Sequence, residues 1–342
     1  MITRTWRGAA SLTLGLAVFA GIAVWLARAV DLEVLADILR QARPLPLLLL
    51  AVLPAVTSTV RAVRLHVVLQ QKGGLRHTFH TSNIGAMVNC LLPLRSGELC
   101  LAFLLGPRLP GGRSEALARI FVDRLLDILA VLALFAAALP QLRRAGPGAL
   151  ASGETFRLIF GGAAILVGAL WALCAAEPLV LRTAHVLARI LRRETTTWER
   201  RATAILHGTR ALFRGRVLLV AGALSLAAWG LVALTFQAGM AALFPPPGLV
   251  CAILAMSMTI LGLIIAPMPS GIGTTHGAIV LALGFYGIGA EQALAFAILY
   301  HAASTLVSLL LGSLGLWALG LSLGRLLKGA GAIPSAGDSR TP

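Results

Sequence analysis

Few residues in this chain are equipped for chemistry, and they fall in a few short clusters. Asp123 and Asp127 lie four apart, so on a helix their carboxylates share one face, and Arg124 reaches Asp127 at i+3. Arg119, one turn before Asp123, is expected to pair with it in the same way. Upstream, Arg95, Ser96, Gly97 and Glu98 form a turn that offers a guanidinium fork and the open amides of a helix start. Both features suit a phosphate, because a fork binds two oxygens at once and helix N-termini attract anions. Glu98 and Asp123 are expected to neutralise Arg95 and Arg124 when no ligand is bound. Farther on, Ser270, Gly271 and Gly273 make a second turn, followed by His276 and, later, by Tyr300 and His301. Imidazoles titrate near neutral pH and are candidate proton-sensitive groups, with hydrogen-bonded packing as their alternative role. A neutralised structural cluster is the alternative for Arg119 and Asp127.

A carboxylate pair also suggests acid–base catalysis, but no partner set completes it. Ser270 and Ser304 have no acid nearby in sequence with which to form a triad through His276 or His301. The chain has no H-E-x-x-H, no phosphate-binding Walker loop and no D-x-D, and the G-x-G at Gly271 and Gly273 follows an apolar helix rather than a strand. Cys90, Cys100, Cys174 and Cys251 sit singly in apolar runs without C-x-x-C spacing, which speaks against a metal site. The chain is therefore read as a non-enzyme that takes no cofactor or metal.

The surroundings of these residues are apolar. Of 342 residues, 58% are hydrophobic and 12% charged, and the mean hydropathy is +0.88. A soluble protein carries about 25% charged residues. Half that share excludes a cytosolic enzyme, a secreted disulfide scaffold and a disordered chain, and puts this one in a bilayer. Lys and Arg number 29 against 13 Asp and Glu, a net charge of +16. In a membrane protein that excess belongs to loops beside anionic lipid. No basic stretch carries the interleaved aromatics of a single-strand platform, so nucleic acid is not an expected partner.

The fold class that follows is all-α and polytopic. Six full spans are expected at 9–27, 44–60, 120–140, 158–176, 217–243 and 292–323. The first is longer than a signal peptide's apolar core and is read as a retained anchor within an N-terminal unit, 1–43. The membrane domain is 44–324, and 325–342 is a Gly-, Ser- and Pro-containing tail expected to be disordered. Segment 61–77 holds Arg61, Arg64, Lys72 and Arg76 without an acid, and 177–216 holds nine Arg against three Glu. Both are expected in the cytoplasm, with both chain ends, in a bacterial-type inner membrane; 177–216 suggests a basic amphipathic segment on the inner leaflet. Segments 78–106 and 249–290 are each broken by Pro and Gly into arms too short to span comfortably. Counting crossings makes them re-entrant hairpins of opposite orientation, since broken backbone is tolerated at membrane depth only beside protein or water. Pro93-Leu94-Arg95-Ser96-Gly97 and Pro267-Met268-Pro269-Ser270-Gly271 share P-x-x-S-G, and a long apolar helix follows each. The pattern reads as an inverted repeat, a transporter plan.

These motifs, taken in order, resemble the lysylphosphatidylglycerol synthase transmembrane-region family of flippase-like proteins. The resemblance covers about 50–323. It rests on Arg61 and Arg64, on N-x-x-x-P-x-R-x-G-E at Asn89, Pro93, Arg95, Gly97 and Glu98, on Asp123-Arg124-x-x-Asp127, and on P-x-P-S-G-I-G-T at 267–274. It implies a multi-pass inner-membrane protein that moves lipids between leaflets, its partners being membrane lipids with anionic or phosphate head groups. The cargo class is a phospholipid, an aminoacylated lipid, or a hopanoid-related or polyprenyl-linked lipid. The alternatives are a membrane-embedded lipid transferase and a non-transporting assembly partner in envelope biosynthesis. The sequence departs from the family pattern at two places, with His276 where a Glu and His301 where an Arg is usual. Their separation equals that of Glu98 and Asp123, which predicts that the two histidines meet.

Overall fold

A computed structural model describes residues 40–70, 74–92, 96–145, 195–210, 215–265 and 271–321, with isolated positions between 161 and 186. The expected anchor at 9–27, the span at 158–176, the tail at 325–342 and the site residues Arg95 and Ser270 lie outside the described residues.

The described residues form helices and no strands. Helix α1 (Pro44–Leu69) starts on a proline, whose missing N–H costs nothing in the first turn, and stops at Gln70 in the left-handed region (φ 51°). Helix α2 (Leu75–Leu91) ends just before Pro93, a residue that disfavours helical geometry in its predecessor. Helix α3 (Ser96–Leu105) leads through a short 3-10 turn into α4 (Gly112–Ala145), the longest element. Helix α5 (Thr195–Arg210) packs on the start of α4, where Gly208 faces Ala118 and Gly111 faces Ala204. Then come α6 (Gly215–Leu243), α7 (Leu249–Ile265), α8 (Thr274–Gly284) and α9 (Ala290–Ala318). Helices α1, α6 and α9 are long and apolar enough to cross a membrane, while α7 and α8 are shorter apolar helices. Trp317, 80% exposed at the end of α9, stands where an interfacial aromatic belongs.

The four-helix order long–short–short–long occurs twice. Helices α1 to α4 have 26, 17, 10 and 34 residues, and α6 to α9 have 29, 17, 11 and 29. Each contact between the halves has a counterpart: α2 packs on α9 as α7 packs on α4, and α1 packs on α9 as α6 packs on α4. Helix α1 also lies along α6.

Both pairs of short helices fold back on themselves. Gly85 faces Gly97 and Leu101, and a Cβ on Gly97 would overlap the Gly85 carbonyl oxygen and come within 2.6 Å of Asn89. In the second pair, Gly262 faces Thr274 and Gly271 faces Leu263. The main apolar core joins α4, α6, α7, α8 and α9, where Phe236 meets Phe296 at 5.6 Å and Tyr300 at 4.3 Å between ring centres. Where α2 crosses α9, glycines replace side chains. A Cβ on Gly312 would stand 2.9 Å from the Asn83 carbonyl oxygen, and one on Gly315 would stand 2.8 Å from that of His80.

One expectation is overturned here. Residues 61–69 are not a cytoplasmic loop but the last turns of α1, and Arg64 is 0% exposed. The helix satisfies its own backbone and two carboxylates take up the Arg64 charge, so this stretch has no need of water. Arg61 and Arg64 therefore drop out of the loop-charge count that helped to set the expected orientation. Smaller differences concern bounds: the second arm of the late pair stops at Gly284, because Phe285–Gly287 turns before α9 begins.

Candidate functional site

The N-terminal half of α4 turns Asp123, Arg124 and Asp127 toward the C-terminal half of α1. There Arg64 forks Asp123, donating from Nε to Oδ1 and from Nη2 to Oδ2, both at 2.7 Å. Its Nη1 donates to Asp127 Oδ1 at 2.5 Å and to Ser225 Oγ at 3.1 Å. The indole N–H of Trp229 donates to the same Asp127 oxygen at 2.7 Å. Arg124 reaches the other Asp127 oxygen at 3.0 Å, as its i,i+3 spacing predicts, and lies 3.2 Å from Asp123. Arg61, one turn before Arg64, lays its guanidinium over the Trp229 ring, 4.6 Å from the ring centre.

One sequence-based pairing is corrected. Arg119 does not pair with Asp123, because Arg64 already occupies both oxygens of that carboxylate. Arg119 turns back to Glu115 at 2.7 Å and also donates to the Val68 carbonyl at 2.7 Å, tying α4 to the end of α1. The expected contact of Asp123 with Arg124 is present at 3.2 Å, and Arg64 is its second and shorter partner at 2.7 Å. Glu98 accepts a hydrogen bond from Asn89 Nδ2 at 3.1 Å, and among the described residues it makes no ion pair.

The tip of the first helix pair is held by Asn89. Its Oδ1 accepts the Gly97 N–H at 2.7 Å, capping α3, while its amide steadies Glu98. Ser96 opens α3. The second tip is built differently. Gly271 and Gly273 adopt positive φ (72° and 83°), which glycine tolerates best, and the Gly273 N–H donates to Nδ1 of His276 at 3.3 Å. Glu98 and His276 are each the third residue of a second arm. The rings of His276 and His301 lie 5.2 Å apart between centres, so the two histidines do meet.

Between the tips and the charged face lies a cavity of about 460 Å³. Gly97, Glu98, Asp123, Arg124 and Gly271 line it, all of them candidates from sequence. Arg61, Asn89, Asp127, Trp229, Tyr300 and Ser304 line it as well. Ile128, Val232, Ile260 and Leu263 add apolar wall. Ser96, Gly273, His276 and His301 are not part of the lining. The signal that could have assigned Arg61 and Arg64 was their i,i+3 spacing. The indole of Trp229 carried none, since only the tertiary fold brings it to Asp127.

The charged face holds three guanidinium groups against two carboxylates. Its carboxylate oxygens are engaged by donors, whereas the buried Nε of Arg61 and that of Arg124 have no acceptor. Such an arrangement leaves donor N–H groups open beside the cavity. A family model described as lysylphosphatidylglycerol synthase TM region matches residues 12–312. The chain belongs to that family. The match takes in all of α1 to α8 and most of α9, and begins well before the point from which the motifs alone carried the resemblance. A comparison with curated proteins finds no match. As a member of the lysylphosphatidylglycerol synthase TM region family with several apolar helices, the chain is a multi-pass membrane protein with a lipid-related role.

Proposed function

We propose that this lysylphosphatidylglycerol synthase TM region protein carries a lipid with an anionic, phosphate-bearing head group between the leaflets of a bacterial-type inner membrane. One observation carries the reading: a cavity of about 460 Å³ with guanidinium groups on one wall and aliphatic side chains on another. A charged side chain at bilayer depth costs roughly 2.5–3.5 kcal/mol on insertion scales, so guanidinium donors left there without acceptors call for a partner that supplies them. The volume lies within the roughly 300–1,000 Å³ of ligand pockets and suits a head group with the start of its chains. In this reading the four-helix units are inverted repeats, their short pairs enter from opposite faces as re-entrant hairpins, and six spans complete the fold with both ends cytoplasmic. Gly97, Glu98, Arg124 and Gly271 contact the head group, with Ser96 at the first tip and Gly273, His276 and His301 supporting the second; Arg95 and Ser270, outside the described residues, are added from the sequence pattern alone.

The test is leaflet exchange in vesicles. The full chain, reconstituted with a fluorescent phosphatidylglycerol, should speed loss of inner-leaflet signal to an external quencher relative to empty vesicles. Arg124→Ala should bring the rate near that of empty vesicles, and Arg124→Lys should rescue poorly because an ammonium lacks the fork. Equal rates for Arg124→Ala and the parent would remove the site from transport. Topology is checked by cysteines placed in α5 and in Phe244–Gly248: membrane-impermeant labelling of both from the same side would overturn the inverted arrangement.

A further inference from the structure

We infer that Arg61, seated on the face of Trp229, is the principal ligand of the lipid phosphate, with the open Nε of Arg124 as a second donor and Arg64 as the main partner of the two carboxylates. The inference rests on the lipid-carrying reading above and names the side chain that holds the head group.

The argument is an accounting of donors and acceptors. Asp123 gives both oxygens to the Arg64 fork. Asp127 gives one oxygen to Arg64 and the Trp229 N–H, and the other to Arg124. Each carboxylate oxygen thus has at least one donor, and among the described residues no acid lies within ion-pair distance of the Arg61 guanidinium. Arg61 instead lies over an indole, 4.6 Å from the ring centre. An aromatic face attracts the cation through its quadrupole and fixes the guanidinium while leaving the N–H edges bare. The buried Nε of Arg61 has no acceptor, and neither has that of Arg124, although nearly all buried donors in proteins find one. Both arginines line the same cavity, and Arg61 has Asp127 as an opposite-charge neighbour and Arg64 and Arg124 as like-charged ones.

A phosphate group answers all of these features at once. Its oxygens accept from the open N–H groups of both arginines, and its charge adds to that of Asp123 and Asp127 beside three guanidinium groups. An ester carbonyl or a hydroxyl would satisfy the donors without the charge. Glu98 stays on the opposite hairpin, held by Asn89, and does not discharge Arg61. The supporting indole also makes the site visible, because a ligand that draws on Arg61 changes what lies over Trp229.

The experiment measures binding by tryptophan fluorescence of the full chain in detergent, with Trp229→Phe as the subtracted reference. The probes are dihexanoyl phosphatidic acid and dihexanoyl glycerol, which share their chains and differ in the phosphate. The expected result is a saturable Trp229 change with the phosphatidic acid and none with the glycerol. Arg61→Gln should weaken that binding at least tenfold and Arg61→Lys by a smaller factor, with unchanged elution from a sizing column. If Arg61→Gln does not fold, Arg61→Lys decides, and parental affinity in it overturns the inference. So does an equal response to dihexanoyl glycerol, or a parental Kd in folded Arg61→Gln. Binding that depends on Arg61 without leaflet exchange would sink the transport reading and leave this site standing.

Discussion

Removing Arg64 should destabilise the fold more than removing any other charged side chain on α1. The side chain is fully buried and makes three hydrogen bonds to carboxylates, two to Asp123 and one to Asp127. In Arg64→Ala, Asp123 keeps only Arg124 at 3.2 Å, while Asp127 keeps Arg124 and Trp229. Breaking a buried ion pair from one side costs about 3–5 kcal/mol. The lower end applies here, because Arg124 remains as a counter-ion for both carboxylates. About 3 kcal/mol is roughly a hundredfold in the unfolding equilibrium. Arg64→Lys keeps the charge but not the fork and should lose about half as much. Asp123→Asn in the Arg64→Ala background should cost less than it does alone, since the two residues act on one contact. The measurement is reversible unfolding by sodium dodecyl sulfate in mixed micelles, followed by far-ultraviolet circular dichroism. A loss below about 0.5 kcal/mol for Arg64→Ala, the range of ordinary surface changes, would refute the view that this pairing holds α1 to α4.

Three further outcomes follow from other contacts. Gly97→Ala should abolish stable expression, because its methyl group collides with the Gly85 carbonyl and the Asn89 side chain, whereas Gly85→Ala, whose nearest contact is 3.1 Å, should be milder in a thermal-melt comparison. Cys90 borders the cavity while Cys100 and Cys251 are buried, so a small maleimide should modify Cys90 well before those two when sites are read by mass spectrometry; equal rates would contradict the cavity. His301→Arg should lower the melting temperature alone and recover with His276→Glu, because the two rings meet; no recovery in the double variant would show that the pair is not energetically coupled.

Much of the fold was legible because membrane proteins write it in simple terms. Apolar length marked α1, α6 and α9, and Pro93 with the glycines at 271 and 273 marked where helices fold back. Local pairs were legible too, since Arg124 to Asp127 depends only on helical spacing. The meeting of His276 with His301 followed from comparing separations in the two halves. What escaped was tertiary. Arg64 sits in a basic stretch that looks like a loop, and only the approach of α4 shows that its charge is internal. Arg119 had an acid one turn away on either side, and the choice of Glu115 was made by Arg64, a residue 55 positions earlier. Trp229 is one of six tryptophans, and nothing in its neighbourhood singles it out.

The glycine crossing of α2 over α9 bears on which parts of the protein can move. Gly312 and Gly315 bring the carbonyl groups of Asn83 and His80 against α9, with Met87 and Ile84 as the α2 side chains packed on the glycines. A joint packed this closely leaves little room for sliding. Helix α9 belongs by chain order to the second four-helix unit, yet at this crossing it is clasped to the first hairpin. By the matching of contacts, the second hairpin leans on α4 of the first unit. The closely packed pieces are thus not the two halves of the sequence. Each is a composite that takes a hairpin from one half and a long helix from the other.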